Sequence, residues 1–266
     1  MRPLIKELVL KLKPYSVFSP PFEATSGGIR VMYGLYGWLL AKGQIVHLNA
    51  RYAHSDFIAI YPEIETGNPA QANSVVRYIL NKPGVMGSQR DGKFVSGPTS
   101  FADTDKIFVF SELFNTMGVD EEHKLFLPII DTHLFRDMGL KRDKKAVFVG
   151  KGEDKRLHPQ GCVLIDRMVA QDQAELAQLL NECEVIYQYD PVSAMSEIAR
   201  LCGCRVVYLS DQYTREEYES YEPGINGISF GLEEDNKLDV DKFRSHYLGM
   251  KEMFSKKLDR FIELTQ

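Results

Sequence analysis

Residues 187–209 read YQYDPVSAMSEIARLCGCRVVYL, an order that could hold a diphosphate and the sugar attached to it. An apolar run meets Asp190-Pro191, which turns the chain. Ser193 and Ala194 then open a short amphipathic helix, Glu197 lies further along it, and Cys202-Gly203-Cys204 leads into a second apolar run. A helix start presents unbonded backbone N–H groups and the positive end of a dipole to phosphate. A carboxylate in the same helix could accept hydrogen bonds from two ribose hydroxyls. Glu197 could equally be a solvated helix acid.

Three further loops have suitable composition. Gly27-Gly28 follows Ser26 just ahead of a helical pattern, where paired glycines permit close backbone approach to an anion. The alternative is a flexible turn with Ser26 as N-cap. Gly150-Lys151-Gly152 directly follows an apolar strand pattern, and a lysine there could reach a phosphate as a point charge. The loop lacks the Walker spacing of an ATPase, and could be a plain strand-end turn. Tyr61-Pro62-Glu63 and Gly67-Asn68-Pro69 form the last group, in which Glu63 or the nearby His54 could bind an acceptor or act as base. Asn68 could instead simply cap a helix beginning at Pro69.

Two tempting patterns are set aside. Asp103-Thr104-Asp105 has the D-x-D form of a metal-dependent sugar transferase, but it precedes a strand and reads as a solvated turn. The six histidines are scattered without an H-x-x-x-H pair, so no metal site is expected. The four cysteines, Cys162, Cys183, Cys202 and Cys204, read as buried, reduced and structural.

The elements that must position these residues alternate along a chain of 266 residues with ordinary hydrophobic and charged fractions. Strand patterns are expected at 16–19, 44–49, 57–61 and 106–110, with helices at 29–41 and 69–80. The rhythm restarts near residue 140. It continues with strands at 146–149, 162–165, 185–189 and 205–209, helices at 171–181 and 191–201, and a helical tail from 240 to 264. Alternation of this kind predicts an α/β fold with two Rossmann-like domains built on parallel sheets. The expected divisions are a first domain over 1–128, a hinge over 129–145, a second domain over 146–239 and a C-terminal helix over 240–266.

A net charge of -5 argues against general nucleic-acid binding. With no apolar run of membrane-spanning length and no signal-peptide pattern, a cytoplasmic location is expected. Residues 1–13 mix Leu, Val and Ile with Arg2, Lys6, Lys11 and Lys13, and could touch anionic lipid at the inner membrane face. A packed first helix or strand is the alternative.

Taken together, these motifs resemble a glycosyltransferase of the GT-B fold, near the group 1 retaining family. Ser26-Gly27-Gly28 resembles that family's N-terminal glycine-rich loop. Leu127-Pro128 with Asp131 and Phe135 resembles its inter-domain linker. Val147-Phe148-Val149-Gly150-Lys151-Gly152 resembles the strand and loop that open the nucleotide domain. Residues 190–197 with the following Cys202-Gly203-Cys204-Arg205-Val206-Val207 resemble the donor-site acidic motif and the strand after it. The family has two glutamates separated by seven residues; here Tyr189 stands at the first position, Asp190 follows one residue later, and Glu197 matches the second.

The resemblance implies transfer of a sugar from a nucleotide-sugar donor to a glycan or lipid-linked acceptor, as in cell-surface polysaccharide synthesis. The two domains would face a cleft, with the donor as substrate and with neither cofactor nor bound metal. Gly27, Gly28, Gly150, Lys151, Ser193 and Ala194 would hold the diphosphate, and Glu197 the ribose. Asp190, Glu63 and His54 would be the catalytic candidates. A non-catalytic nucleotide-sugar-binding partner and a nucleotide-sugar epimerase are the alternatives.

Overall fold

A computed structural model describes residues 12–90 and 93–266. The expected lipid-touching element over residues 1–13 lies outside the described residues as far as residue 11. The chain divides into two compact units, Met1–Leu127 with Lys251–Gln266, and Pro128–Met250.

The first unit contains β1 (Tyr15–Val17), α1 (Gly27–Ala41), β2 (Val46–Leu48), β3 (Ile58–Pro62) and β4 (Ser74–Ile79), then a separate antiparallel hairpin of β5 (Gly87–Arg90) and β6 (Lys93–Ser96), then β7 (Lys106–Val109). Its five-stranded sheet has the order β2-β1-β3-β4-β7, with every pair parallel. All five residues of β3 are buried, as a central strand covered on both faces requires. On one face the rings of Tyr15 and Phe108 both meet Phe261, while Trp38 of α1 meets Phe254. On the other, Ala59 and Tyr61 pack with Phe57, Ala72 and Val75.

That second face differs from expectation. Residues 69–80 form no helix; a loop to residue 73 leads into β4 instead. The sequence SVVRYI is rich in β-branched and aromatic residues, and it alternates Val75 and Arg77 on one face with Val76 and Tyr78 on the other. Loops cover the face where a crossover helix would lie. Arg77, 2% exposed, fastens them. Its guanidinium donates to Asp105 Oδ2 at 2.7 Å, to the Glu65 carbonyl at 3.0 Å and to the Gly67 carbonyl, and it lies over the rings of Tyr61 and Phe101. Asp105 is therefore no solvated turn residue: its side chain is 5% exposed and neutralises a buried cation.

The second unit contains β8 (Lys144–Phe148), β9 (Val163–Leu164), α2 (Arg167–Gln171), α3 (Gln173–Glu182), β10 (Cys183–Gln188), α4 (Ala194–Leu201), β11 (Arg205–Tyr208), α5 (Arg215–Tyr218) and β12 (Ile228–Phe230), and leads into α6 (Val240–Thr265). The sheet order is β12-β11-β10-β8-β9, again all parallel. Counted in chain order within each sheet, both units follow the same 2-1-3-4-5 arrangement, one of the common doubly wound orders. Side-chain caps start the helices: Asp166 for α2, Asp172 for α3, Ser193 for α4, and Thr214 with Glu217 as a capping box for α5.

The expected hinge over 129–145 is packed into this unit rather than standing apart. Ile130 and Phe135 are buried. The Ile130 N–H donates to the Tyr247 hydroxyl at 3.0 Å, the Met138 N–H to Asn181 Oδ1 at 2.7 Å, and β8 already begins at Lys144. The helix α6 contributes to both units, through Phe243 and Tyr247 in the second and through Phe254, Leu258 and Phe261 in the first. Cys183, Cys202 and Cys204 are buried free thiols, while Cys162 is only half-buried. Burial pushes the Cys183 thiol up to about 11 and Cys202 to about 12.

Candidate functional site

In an open parallel sheet, the crevice for a ligand opens at the carboxyl ends of the strands where the winding reverses. In the second unit that point lies between β8 and β10. The chain leaving β8 is Val149-Gly150-Lys151-Gly152, and the chain leaving β10 is Tyr189-Asp190-Pro191, followed by the start of α4.

These two exits touch. The Lys151 N–H donates to Asp190 Oδ2 at 3.1 Å. Gly150 has φ +56, and a Cβ placed there would stand 2.2 Å from Asp190 Oδ2. A Cβ on Gly152 would stand 2.0 Å from the Tyr189 carbonyl oxygen. Both glycines are thus dictated by the close approach of one loop to the other.

Asp190 is 4% exposed, and its Oδ1 is buried with no hydrogen-bond partner among the described residues. Burial pushes its carboxyl above the ordinary carboxylate range; the Lys151 N–H, the Lys151 charge and the Val192 N–H oppose this. Gln188, fully buried, donates from Nε2 to the Asp190 carbonyl at 2.8 Å, and its Oε1 also lacks a partner. Two buried acceptors without donors at the end of one strand suit a ligand or water that supplies hydroxyl hydrogens.

At the start of α4, Ser193 Oγ accepts the Met195 N–H at 3.2 Å and the Ser193 carbonyl accepts the Ser196 N–H at 3.1 Å. Among the described residues the Ala194 N–H has no acceptor, and the helix dipole lies behind it. Glu197, 4% exposed, lies one turn further, within hydrogen-bond reach of Ser196 Oγ and Tyr221. Its charge opposes the downward push that burial exerts on the Arg200 guanidinium. Arg200 is fully buried, donates to the carbonyls of Ser196, Gly224 and Asn226, and stands 4.0 Å over the Phe243 ring. Glu197 thus belongs to a buried charge network as well as to the helix start.

The remaining expected residues lie in the first unit. Gly27 and Gly28 are the first two residues of α1, capped by Ser26; a Cβ placed on Gly28 would stand 3.6 Å from Leu80 Cδ1, and one on Gly27 would meet nothing within 4 Å. Glu63 follows β3, is 4% exposed, and accepts the Leu80 N–H at 2.9 Å, pinning the end of β4. His54 is exposed, stacks on Tyr52, and precedes β3. The five residues of β3, roughly 16 Å of strand, separate it from Glu63. The structure therefore gathers Gly28 and Glu63 around Leu80 and leaves His54 at the opposite end of the strand. A cavity of about 260 Å³ in this unit is lined in part by the Arg77–Asp105 pair, whose charges already answer one another.

The sequence assigns no site role to Tyr189 or His158. The loop after β8 folds back so that Tyr189 Oη accepts the Leu157 N–H at 2.7 Å and the His158 N–H at 3.2 Å, and lies 3.0 Å from His158 Nδ1. Lys155, on the same loop, pairs with Asp211 at 2.7 Å. The partners of Tyr189 lie 31 and 32 residues away along the chain, and no local pattern announces such contacts. Among the described residues, no group of three or more His, Cys, Asp or Glu side chains is placed to hold a metal ion. No described helix is long and apolar enough to cross a membrane.

No family model matches the chain, and no curated protein matches it by sequence. Among solved structures, an uncharacterized protein of Klebsiella pneumoniae shares 14% identity at a TM-score of 0.40, covering 82% of this chain and 88% of that one. The C-terminal part of Escherichia coli RcsC, with its linker region and phosphoreceiver domain, shares 12% identity at a TM-score of 0.23, covering 93% and 95%.

Proposed function

We propose that the chain is a glycosyltransferase of the GT-B class, transferring a sugar from a nucleotide-sugar donor to a glycan or lipid-linked acceptor. The observation that carries this reading is the contact of the Gly150-Lys151-Gly152 loop with Asp190 at the winding reversal, beside the Ser193-capped start of α4. The class implies two Rossmann-like domains facing a cleft, and two parallel sheets of one strand order agree with it.

In the proposed reaction the bond between the sugar's anomeric carbon and the diphosphate oxygen breaks, and its electron pair leaves with the nucleoside diphosphate. An acceptor hydroxyl oxygen bonds to that carbon as its proton passes to an oxygen of the departing diphosphate. The Ala194 N–H, the α4 dipole and the Lys151 ammonium would stabilise the charge that develops on the leaving group. Asp190 Oδ1 would accept a donor-sugar hydroxyl, and Glu197 the ribose hydroxyls. Gly27 and Gly28 at the start of α1 and Glu63 at the end of β3 are proposed for the acceptor side; His54, at the other end of β3, is the weaker candidate.

A second reading, a nucleotide-sugar-binding partner without turnover, is favoured by one observation. Tyr189 stands where the resembled family has its first glutamate, and its hydroxyl is engaged by the loop 150–158. Incubation with nucleotide sugars and mass-based detection of released nucleoside diphosphate separates the two. Release of product supports the enzyme; saturable binding with no release supports the partner.

A further inference from the structure

The Tyr189 hydroxyl has two lone pairs and one hydrogen. Both lone pairs are engaged, by the Leu157 N–H at 2.7 Å and the His158 N–H at 3.2 Å. The hydrogen is therefore directed to the remaining neighbour, His158 Nδ1 at 3.0 Å. A ring nitrogen that accepts carries no proton, so the neutral His158 ring bears its proton on Nε2. The ring is half-buried and packs edge-on against Tyr189, 5.7 Å between centroids, which holds its orientation. Asp154 Oδ1 stands 3.7 Å from the same Nδ1, beyond hydrogen-bond distance. No described group accepts from Nε2.

We propose that His158, held as its Nε2–H tautomer by Tyr189, is a further ligand-binding residue of the β8–β10 site and donates that hydrogen to an oxygen of a nucleoside diphosphate. The inference rests on the nucleotide-binding reading given above. It assigns Tyr189 a positioning role, acting through His158 and through the fold of residues 150–158. Tyr189 thereby couples the loop that bears Lys151 to the strand end that bears Asp190. An ionised acid at this position could not do this, because a carboxylate has no hydrogen to direct at Nδ1.

The test is nitrogen-15 NMR of the histidine side chains at a pH where the ring is neutral, on wild type, Tyr189→Phe and His158→Ala, each with and without UDP, GDP, ADP and dTDP. The proposal expects His158 to show a bare Nδ1 and a protonated Nε2 in the free wild type. It expects Tyr189→Phe to mix the two tautomers. It expects the nucleoside diphosphate that binds to shift the Nε2–H resonance, and His158→Ala to bind that nucleotide about tenfold more weakly, the size of one hydrogen bond to a charged group. A protonated Nδ1 in the wild type overturns the tautomer assignment. Nucleotide binding that neither shifts Nε2–H nor weakens in His158→Ala overturns the ligand role while leaving the nucleotide site intact. Absence of binding by any of the four to the wild type overturns both the ligand role and the reading it rests on, and the tautomer signals then judge the Tyr189–His158 pair alone.

Discussion

The Lys151 backbone N–H donates to the Asp190 carboxylate at 3.1 Å, joining the loops that leave two adjacent parallel strands. One carboxylate oxygen is thus committed to holding the crevice together, and the other is buried with no hydrogen-bond partner among the described residues. A structural role and the proposed ligand-facing role fall on the same side chain, which is why its substitutions are informative.

Close approach makes the two loop glycines hard to replace. Gly152→Ala would put a methyl group 2.0 Å from the Tyr189 carbonyl, so the backbone must shift. A loss of about 1–3 kcal/mol in urea unfolding is expected. Gly27→Ala, with nothing within 4 Å of the added carbon, should leave stability unchanged or raise it by about 0.4–1 kcal/mol. Equal costs at the two positions would contradict the packing described.

Asp190→Asn should change stability in a pH-dependent way. Burial raises this carboxyl's pKa in the folded state, so the fold favours the protonated form. The contribution of Asp190 is therefore full below the unfolded value of about 3.9 and is lost as pH rises through the folded value. Asn keeps an oxygen for the Lys151 N–H and carries no charge. The variant's Tm should exceed that of wild type at pH 7.5, with the gap closing as pH falls toward about 4. A wild type more stable than the variant at pH 7.5 would show that the buried charge is better compensated than its surroundings indicate.

Arg77 and Asp105 should behave as one unit. Asp105→Ala strands a guanidinium that is 2% exposed, and breaking a buried pair in this way costs about 3–5 kcal/mol. Arg77→Met combined with Asp105→Ala should cost clearly less than the sum of the single changes. A double-mutant cycle by chemical denaturation reads this, and additive losses would argue against the pair as the fastening of the loop-covered face.

Much of the framework was legible because burial on both faces leaves continuous apolar runs, as in IAIYP of β3 and RVVY of β11, and because Ser26 and Ser193 mark their helix starts. The misreading of residues 69–80 has a physical cause. Pro69, Ala70, Gln71 and Ala72 look like a helix opening, but Gln71 adopts φ +57, and the strand that follows is decided by pairing with β3 and β7. Asp105 and Tyr189 were opaque for another reason: the roles of both come from partners some 30 residues distant, and charge pairing over such separations leaves no periodic trace. The glycines and Asp190 of the candidate site stood out by type, while His158 needed the folded loop to reveal it.

Glu197→Gln removes the charge proposed for the ribose contact while keeping the side chain's size. Affinity for the preferred nucleoside diphosphate should fall about tenfold or more, since hydrogen bonds to a charged group contribute about 1.5–3 kcal/mol. Because Glu197 also balances the buried Arg200, the unfolding curve of the variant must be recorded beside the binding curve. Unchanged affinity in a folded variant would remove Glu197 from the site.

The central claim is that the β8–β10 crevice holds a nucleoside diphosphate, and calorimetric titration of the whole chain with UDP, GDP, ADP and dTDP tests it most directly. Saturable binding of at least one of them, at one site per chain and weakened by Lys151→Ala, is the predicted result. The same ligand at a hundredfold excess over its Kd should add about 2.7 kcal/mol to stability. No heat of binding from any of the four, with the chain folded throughout, would contradict the account.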